Sequence, residues 1–212
     1  MKVCEIFTSI QGESTYAGIP CVFVRLSGCN LRCTYCDTRY SYEEGEKLAV
    51  DDVMKRVEQA GRRLVEITGG EPLLQKDDTD QLSRMLLDAG YAVLIETNGT
   101  FPIGAIDRRV TVIIDVKTPG SGMSERIDVT NFEHLKTTDE VKFVICDRND
   151  YLWAKNIIEK RGLSGRCTVL FSPAFGLLEP RKLAEWILED RINVRFNLQL
   201  HKYIFRPDER MV

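Results

Sequence analysis

The 212-residue chain has only two histidines, His134 and His201, and neither sits beside a cysteine pair. A zinc site built on local Cys/His pairs is therefore poorly supplied. Long apolar runs are missing as well: none approaches the roughly 18 residues that span a bilayer. The opening Met1-Lys2-Val3-Cys4-Glu5 lacks the charged-then-apolar build of a secretory signal, so a cytoplasmic location and no membrane partner are expected. There is no excess of positive charge either. Lys and Arg total 29 against 32 Asp and Glu, a net charge of −3, which removes the basic footprint that nucleic-acid backbone binding requires. With 43% hydrophobic and 29% charged residues the chain is neither disordered nor fibrous. Its length predicts one domain over 1–212 with short N- and C-terminal extensions.

What is present in unusual number is cysteine, seven in all. In a reducing compartment clustered thiols point to metal or redox chemistry in place of disulfides. Cys4, Cys21, Cys146 and Cys167 are scattered among apolar stretches and read as small buried hydrophobes. Cys29, Cys33 and Cys36 form a C-x3-C-x2-C run just past an apolar strand. Three thiols within eight residues can converge on one centre. Zinc completed by a distant histidine is one occupant. The other is a four-iron cluster, usually held by four cysteines; three would leave one iron open to a small molecule.

Apolar runs at 22–26, 64–67, 92–96, 110–116, 141–146, 168–171 and 194–200 predict strands. Between them Val50, Val53, Met54 and Val57 follow helical spacing, as do Leu82, Met85, Leu86 and Ala89 up to Gly90. Further helices are predicted over 149–161, stopped by Gly162, and from Pro180 onward. The alternation gives an α/β fold: a parallel sheet of about six strands with outer helices, an incomplete TIM-type barrel. Sites in such barrels gather at the carboxyl ends of the strands. There the chain carries the cysteine loop, Thr68-Gly69-Gly70-Glu71-Pro72, Thr97-Asn98-Gly99-Thr100 and Lys117-Thr118-Pro119-Gly120, four polar, glycine-bearing ends predicted to line one pocket.

The cysteine run, with the aromatic Tyr35 before its last member, resembles the signature of the radical S-adenosylmethionine (SAM) superfamily. That resemblance implies a 4Fe-4S cluster on Cys29, Cys33 and Cys36, with SAM chelating the remaining iron. The Gly-Gly-Glu-Pro stretch is similar to a further motif of the superfamily and implies that Gly70 contacts SAM while Thr68 faces the substrate. By position Tyr35, Asp37, Asp115, Val116 and Lys117 are implied in cofactor binding.

Phe7-Thr8-Ser9-Ile10-Gln11-Gly12-Glu13, Arg25, Cys36-Asp37-Thr38 and Gln199-Leu200-His201-Lys202 together resemble the 7-carboxy-7-deazaguanine synthases of that superfamily, a likeness running from about Glu5 to Lys202. It implies a ring contraction of 6-carboxy-5,6,7,8-tetrahydropterin with loss of ammonia, Mg²⁺ on Thr38, an electron donor such as flavodoxin or ferredoxin, and a homodimer. In this reading Ile10, Gln11, Gly12 and Glu13 meet the pterin edge through carboxylate and carbonyl acceptors. Arg25 suits the substrate carboxylate, and His201 holds another polar edge. Two other readings share the cysteines: an activase acting on a glycine of a partner enzyme, and a zinc-stabilised binding module. The 120–138 loop matches nothing interpretable.

Overall fold

The computed structural model describes residues 1–207 and 209–212. One nine-stranded sheet carries the architecture. Its strands are β1 (Lys2–Ile10), β2 (Pro20–Leu26), β3 (Glu46–Lys47), β4 (Leu64–Gly69), β5 (Ala92–Thr97), β6 (Thr111–Val116), β7 (Glu140–Ile145), β8 (Thr168–Pro173) and β9 (Arg195–Phe196), in the spatial order β3-β1-β2-β4-β5-β6-β7-β8-β9. From β2 to β9 all pairings are parallel, whereas β1 pairs antiparallel with both β2 and β3. The sheet does not close, so it is an incomplete barrel.

Helices α1 (Val50–Ala60), α2 (Lys76–Asp88), α3 (Arg148–Arg161) and α4 (Pro180–Asp190) connect the parallel strands, and a short α5 (His201–Ile204) follows β9. Pro180 occupies the first turn of α4, where its missing N–H costs nothing. Gly162 ends α3 at φ +61°, a conformation open to glycine because it has no Cβ. Among the described residues no helix is long and apolar enough to cross a membrane.

Strand alternation divides the interior into two faces. Val22, Val24 and Leu26, Val65 and Ile67, Val93 and Ile95, Val112, Ile114 and Val116, and Val141, Phe143 and Ile145 all join the large core beneath the helices. The opposite face changes character along the strands. Near the amino ends Cys21, Phe23, Leu64, Leu94 and Ile113 form a separate apolar plug with Phe7. One step on come Glu66, Glu96, Asp115 and Lys142, and then Arg25 and Thr68 beside the opening. Register sets Phe23 opposite Glu66, Arg25 opposite Thr68 and Asp115 opposite Lys142.

Three expectations change. β1 is not among the predicted strands, although its buried positions alternate as Val3, Glu5 and Phe7; a carboxylate and a thiol interrupt the apolar signal. The strand expected over 194–200 shrinks to the two residues of β9, because the chain then turns across the barrel mouth, where Asn197 N still bonds Phe171 O at 2.9 Å. Of the four scattered cysteines only Cys21 is fully buried; Cys4, Cys146 and Cys167 are half-buried. The 120–138 loop holds three short 3-10 turns.

Candidate active site

The cysteine loop leaves β2 at Gly28, whose φ of +94° turns the chain over the strand ends and whose N–H bonds Ser41 O at 2.8 Å. Cys29, Cys33 and Cys36 are half-buried and face one pocket. Cys29 Sγ accepts from Leu31 N at 3.4 Å and Asn98 Nδ2 at 3.9 Å. Burial pushes the Cys29 thiol up, and it pushes Cys33 to about 11 against the opposing charge of Lys117. Among the described residues no three His, Cys, Asp or Glu side chains converge as ligands of a single ion. Three thiols spread around one opening suit a cluster, which offers each thiolate its own iron.

The Gly69-Gly70 end of β4 is pressed onto this loop. Gly70 N bonds Leu26 O at 3.1 Å and Glu71 N bonds Gly28 O at 2.7 Å. A Cβ on Gly70 would stand 2.6 Å from the Gly28 carbonyl carbon and 2.9 Å from Cys29 Cβ, so only glycine fits the approach. Glu71 is fully buried and ties β4 to β5. It accepts from Leu73 N (2.9 Å), Thr97 Oγ1 (2.8 Å) and Asn98 N (2.7 Å). Burial raises its pKa despite those bonds.

On the β6 side Lys117 Nζ pairs with Asp115 at 2.9 Å. Burial would lower Lys117, but Asp115 and Tyr35 hold it above the ordinary lysine range. The Tyr35 hydroxyl and Asp115 Oδ1 are buried in this pocket without a hydrogen-bond partner among the described residues. Buried polar atoms are normally satisfied, so these two orphans fit a polar ligand such as a nucleoside. Val116 does not join them: alternation turns it outward, fully buried in the core under the helices.

At the other end the loop between β1 and β2 reaches across the barrel interior. Thr15 N bonds Glu140 at 3.0 Å on β7, and the Gln11 amide donates a short bond to Glu66. Glu13 N bonds Gln11 Oε1 at 2.6 Å. Glu13 itself takes Lys142 Nζ at 2.6 Å and Gln199 Nε2 at 2.9 Å. Burial would raise the Glu13 carboxyl, but Lys142 and His201 hold it below the usual range. Lys142, 5% exposed at its side chain, also pairs with Glu96 and, at 3.3 Å, with Asp115. Burial and the adjacent Glu96 push Glu66 well above the carboxylate range.

The chain after β9 packs onto this loop: Leu200 N bonds Gly12 O at 2.7 Å, and a Cβ on Gly12 would stand 2.9 Å from His201 Cγ. Burial lowers the His201 pKa, so its imidazole is neutral near pH 7. Lys202 pairs with Asp37 at 2.6 Å; burial would raise Asp37, and Lys202 overcomes it. Arg25 lines the pocket with Nε on Glu5 at 3.1 Å. Thr38 Oγ1 lies 3.8 Å from Cys36 Sγ.

The pocket thus brings together Ile10, Gln11, Gly12, Glu13, Arg25, Cys29, Cys33, Tyr35, Cys36, Asp37, Thr38, Thr68, Gly70, Asp115, Lys117 and His201, and leaves out Val116. Glu66, Glu96 and Lys142 escape sequence reading, although each is a charge alternating with apolar residues in a buried strand. A charge so placed must face a polar space or a counter-charge.

A model of the radical SAM superfamily matches residues 23–122. The 7-carboxy-7-deazaguanine synthase of Chlorobaculum tepidum is 49% identical, covering 100% of this chain and 97% of that protein. The synthase of Koribacter versatilis is 43% identical, covering 100% of both. The crystal structure of QueE from Escherichia coli superposes with a TM-score of 0.77 at 21% identity, covering 94% of each chain, a likeness of fold.

Proposed function

This chain belongs to the 7-carboxy-7-deazaguanine synthases, a family of radical SAM lyases, and from that premise we propose that it contracts the ring of 6-carboxy-5,6,7,8-tetrahydropterin to 7-carboxy-7-deazaguanine and releases ammonia. The observation that carries the reading is the shared pocket. The three thiols line one end of it, and the Gln11–Glu13, Arg25 and His201 set lines the other. When bound, the 4Fe-4S cluster and SAM supply a 5′-deoxyadenosyl radical, and Mg²⁺ supplies a hard Lewis acid.

The remaining work belongs to the protein. Cys29, Cys33 and Cys36 hold the cluster. Tyr35, Asp37, Gly70, Asp115 and Lys117 hold SAM, the first through its orphaned hydroxyl. Thr38 offers one hydroxyl to Mg²⁺, an ion that keeps few protein ligands. Glu13, kept ionised by Lys142, accepts N–H donors of the aminopyrimidinone edge with the carbonyls of Ile10, Gln11 and Gly12. Arg25 takes the substrate carboxylate, Thr68 flanks it, and neutral His201 donates or accepts at a further edge. The chain works as one domain over 1–212, draws its electron from a flavodoxin or ferredoxin, and pairs as a homodimer.

Fixed placement of the reacting carbon and exclusion of water account for the contribution of such a scaffold. The test is an anaerobic reaction of reconstituted protein with SAM, Mg²⁺, reductant and the carboxypterin, read by mass spectrometry. The deazaguanine acid appears only in the complete mixture and not with Cys33→Ala. Cleavage of SAM with the pterin left intact would overturn the substrate assignment.

A further inference from the structure

Glu5 occupies a core-facing position of β1, with its side chain only 4% exposed, directly opposite Arg25 on β2. Three donors converge on its carboxylate. Arg25 Nε and the Tyr40 hydroxyl each reach Oε2 at 3.1 Å, and Arg210 Nε reaches Oε1 at 3.1 Å. Arg210 arrives from the far end of the chain and is itself held twice more. Its Nη2 bonds Glu44 Oε2 at 2.8 Å, and its guanidinium carbon lies 3.7 Å from the centroid of the Tyr40 ring.

Arg25 uses only Nε on Glu5. Its two terminal nitrogens have no hydrogen-bond partner among the described residues, although the side chain lines the pocket. A guanidinium and a carboxylate left to themselves favour a two-bonded fork, Nε and one Nη on the two oxygens. Arg210 on Oε1 competes for the oxygen that this fork would need. Glu44 balances the charge of Arg210, so what Arg210 changes is which Glu5 oxygen is left to Arg25.

We propose that Arg210 is a positioning residue: through Glu5 it holds Arg25 end-on, with the outer guanidinium edge turned to a carboxylate in the pocket. The inference rests on the reading of Arg25 given above and names the residue that makes Arg25 selective for a carboxylated ligand. Glu44 and Tyr40 fix Arg210, Arg210 fixes Glu5, and Glu5 fixes Arg25. Arg25 lines the pocket, whereas Glu5, Tyr40, Glu44 and Arg210 stand behind it.

Calorimetric titration of the reconstituted enzyme, with SAM and Mg²⁺ present, tests it with two stable ligands: 6-carboxypterin and unsubstituted pterin. Wild type prefers the carboxylated ligand. Arg25→Ala loses that preference, and Arg25→Lys, run beside it in case the alanine variant folds poorly, loses most of it because the fork is gone. Arg210→Ala lowers the preference about tenfold, with pterin affinity held within about twofold. Arg210→Lys, which keeps the charge but replaces the planar fork and its stacking on Tyr40 with a single point donor, falls between. An equal loss for both ligands in Arg210→Ala would make the residue a structural tie and overturn the proposal. An unchanged preference in Arg210→Ala, with Arg25→Lys impaired, would overturn the relay and leave the role of Arg25 standing. An unchanged preference in every variant would overturn both.

Discussion

Lys142→Met is the sharpest probe of the charged floor of the barrel. Lys142 is almost fully buried and meets Glu13 at 2.6 Å, Asp115 at 3.3 Å and Glu96, while Glu66 lies beside Glu96. Removing it leaves Asp115 to Lys117 and Glu13 to the Gln199 amide and His201, with Glu66 and Glu96 beside them. Breaking a buried ion pair costs about 3–5 kcal/mol, because the remaining charge stays desolvated. The loss depends on pH, with a sign that follows from the shifts. In the wild type Glu13 and Asp115 sit below their ordinary values, so their contribution is present above the unfolded carboxylate pKa of about 4 and is lost as pH falls through the folded value. In the variant Lys117 still opposes burial at Asp115, but Glu13 loses its largest opposing charge, and burial raises it above the unfolded value. Stability then falls as pH climbs past about 4. The gap between the proteins is therefore widest at neutral pH and narrows toward pH 5. Urea unfolding of anaerobically reconstituted protein, followed by circular dichroism at pH 7.5 and 5.5, reads it directly. Adding Glu96→Gln to Lys142→Met restores part of the loss by removing one stranded charge. A gap below about 1 kcal/mol at pH 7.5, or one that does not narrow on acidification, would refute the account.

Gly70→Ala drives a methyl into the Gly28 carbonyl and Cys29 Cβ; overpacking of about 1–3 kcal/mol falls on the cysteine loop, so iron and sulfide per chain drop while the far-ultraviolet spectrum holds. Tyr35→Phe removes a buried hydroxyl that has no partner among the described residues. The cofactor-free variant gains about 1 kcal/mol of stability, and its affinity for SAM, measured by equilibrium dialysis, drops severalfold; unchanged affinity would show that the hydroxyl does not serve the cofactor.

Much of this fold was legible in the chain because local patterns and tertiary demands agree. The apolar runs that became β2, β4, β5, β6, β7 and β8 are buried on both faces, as parallel strands with helices on one side and a filled barrel interior on the other must be, and α1 to α4 fall where periodicity and the stop and start signals at Gly162 and Pro180 place them. β1 escaped because Glu5 and Cys4 interrupt its alternation, and Glu5 is tolerated there only through Arg25, Tyr40 and Arg210. Their positions, 20, 35 and 205 residues away, are invisible to a local pattern. The cysteine loop, Thr68–Gly70 and the Gln11–Glu13 stretch could be picked out because each is a contiguous run with its own chemistry.

Glu66, Glu96 and Lys142 show the boundary most clearly. Sequence alone established that each is a charge set in an apolar strand, and alternation determined which neighbours share its face. The same alternation turns Asp115 inward and Val116 outward within β6, against the cofactor role implied for Val116 by position. Which charges meet was decided only by the register of β6 with β7, which sets Asp115 against Lys142, and by the β1–β2 loop carrying Glu13 across the barrel to the same lysine. Periodicity depends on the geometry of one strand and is written in consecutive residues. Pairing depends on how separate strands and loops are brought together, and the free energy that selects it exists only once they are packed.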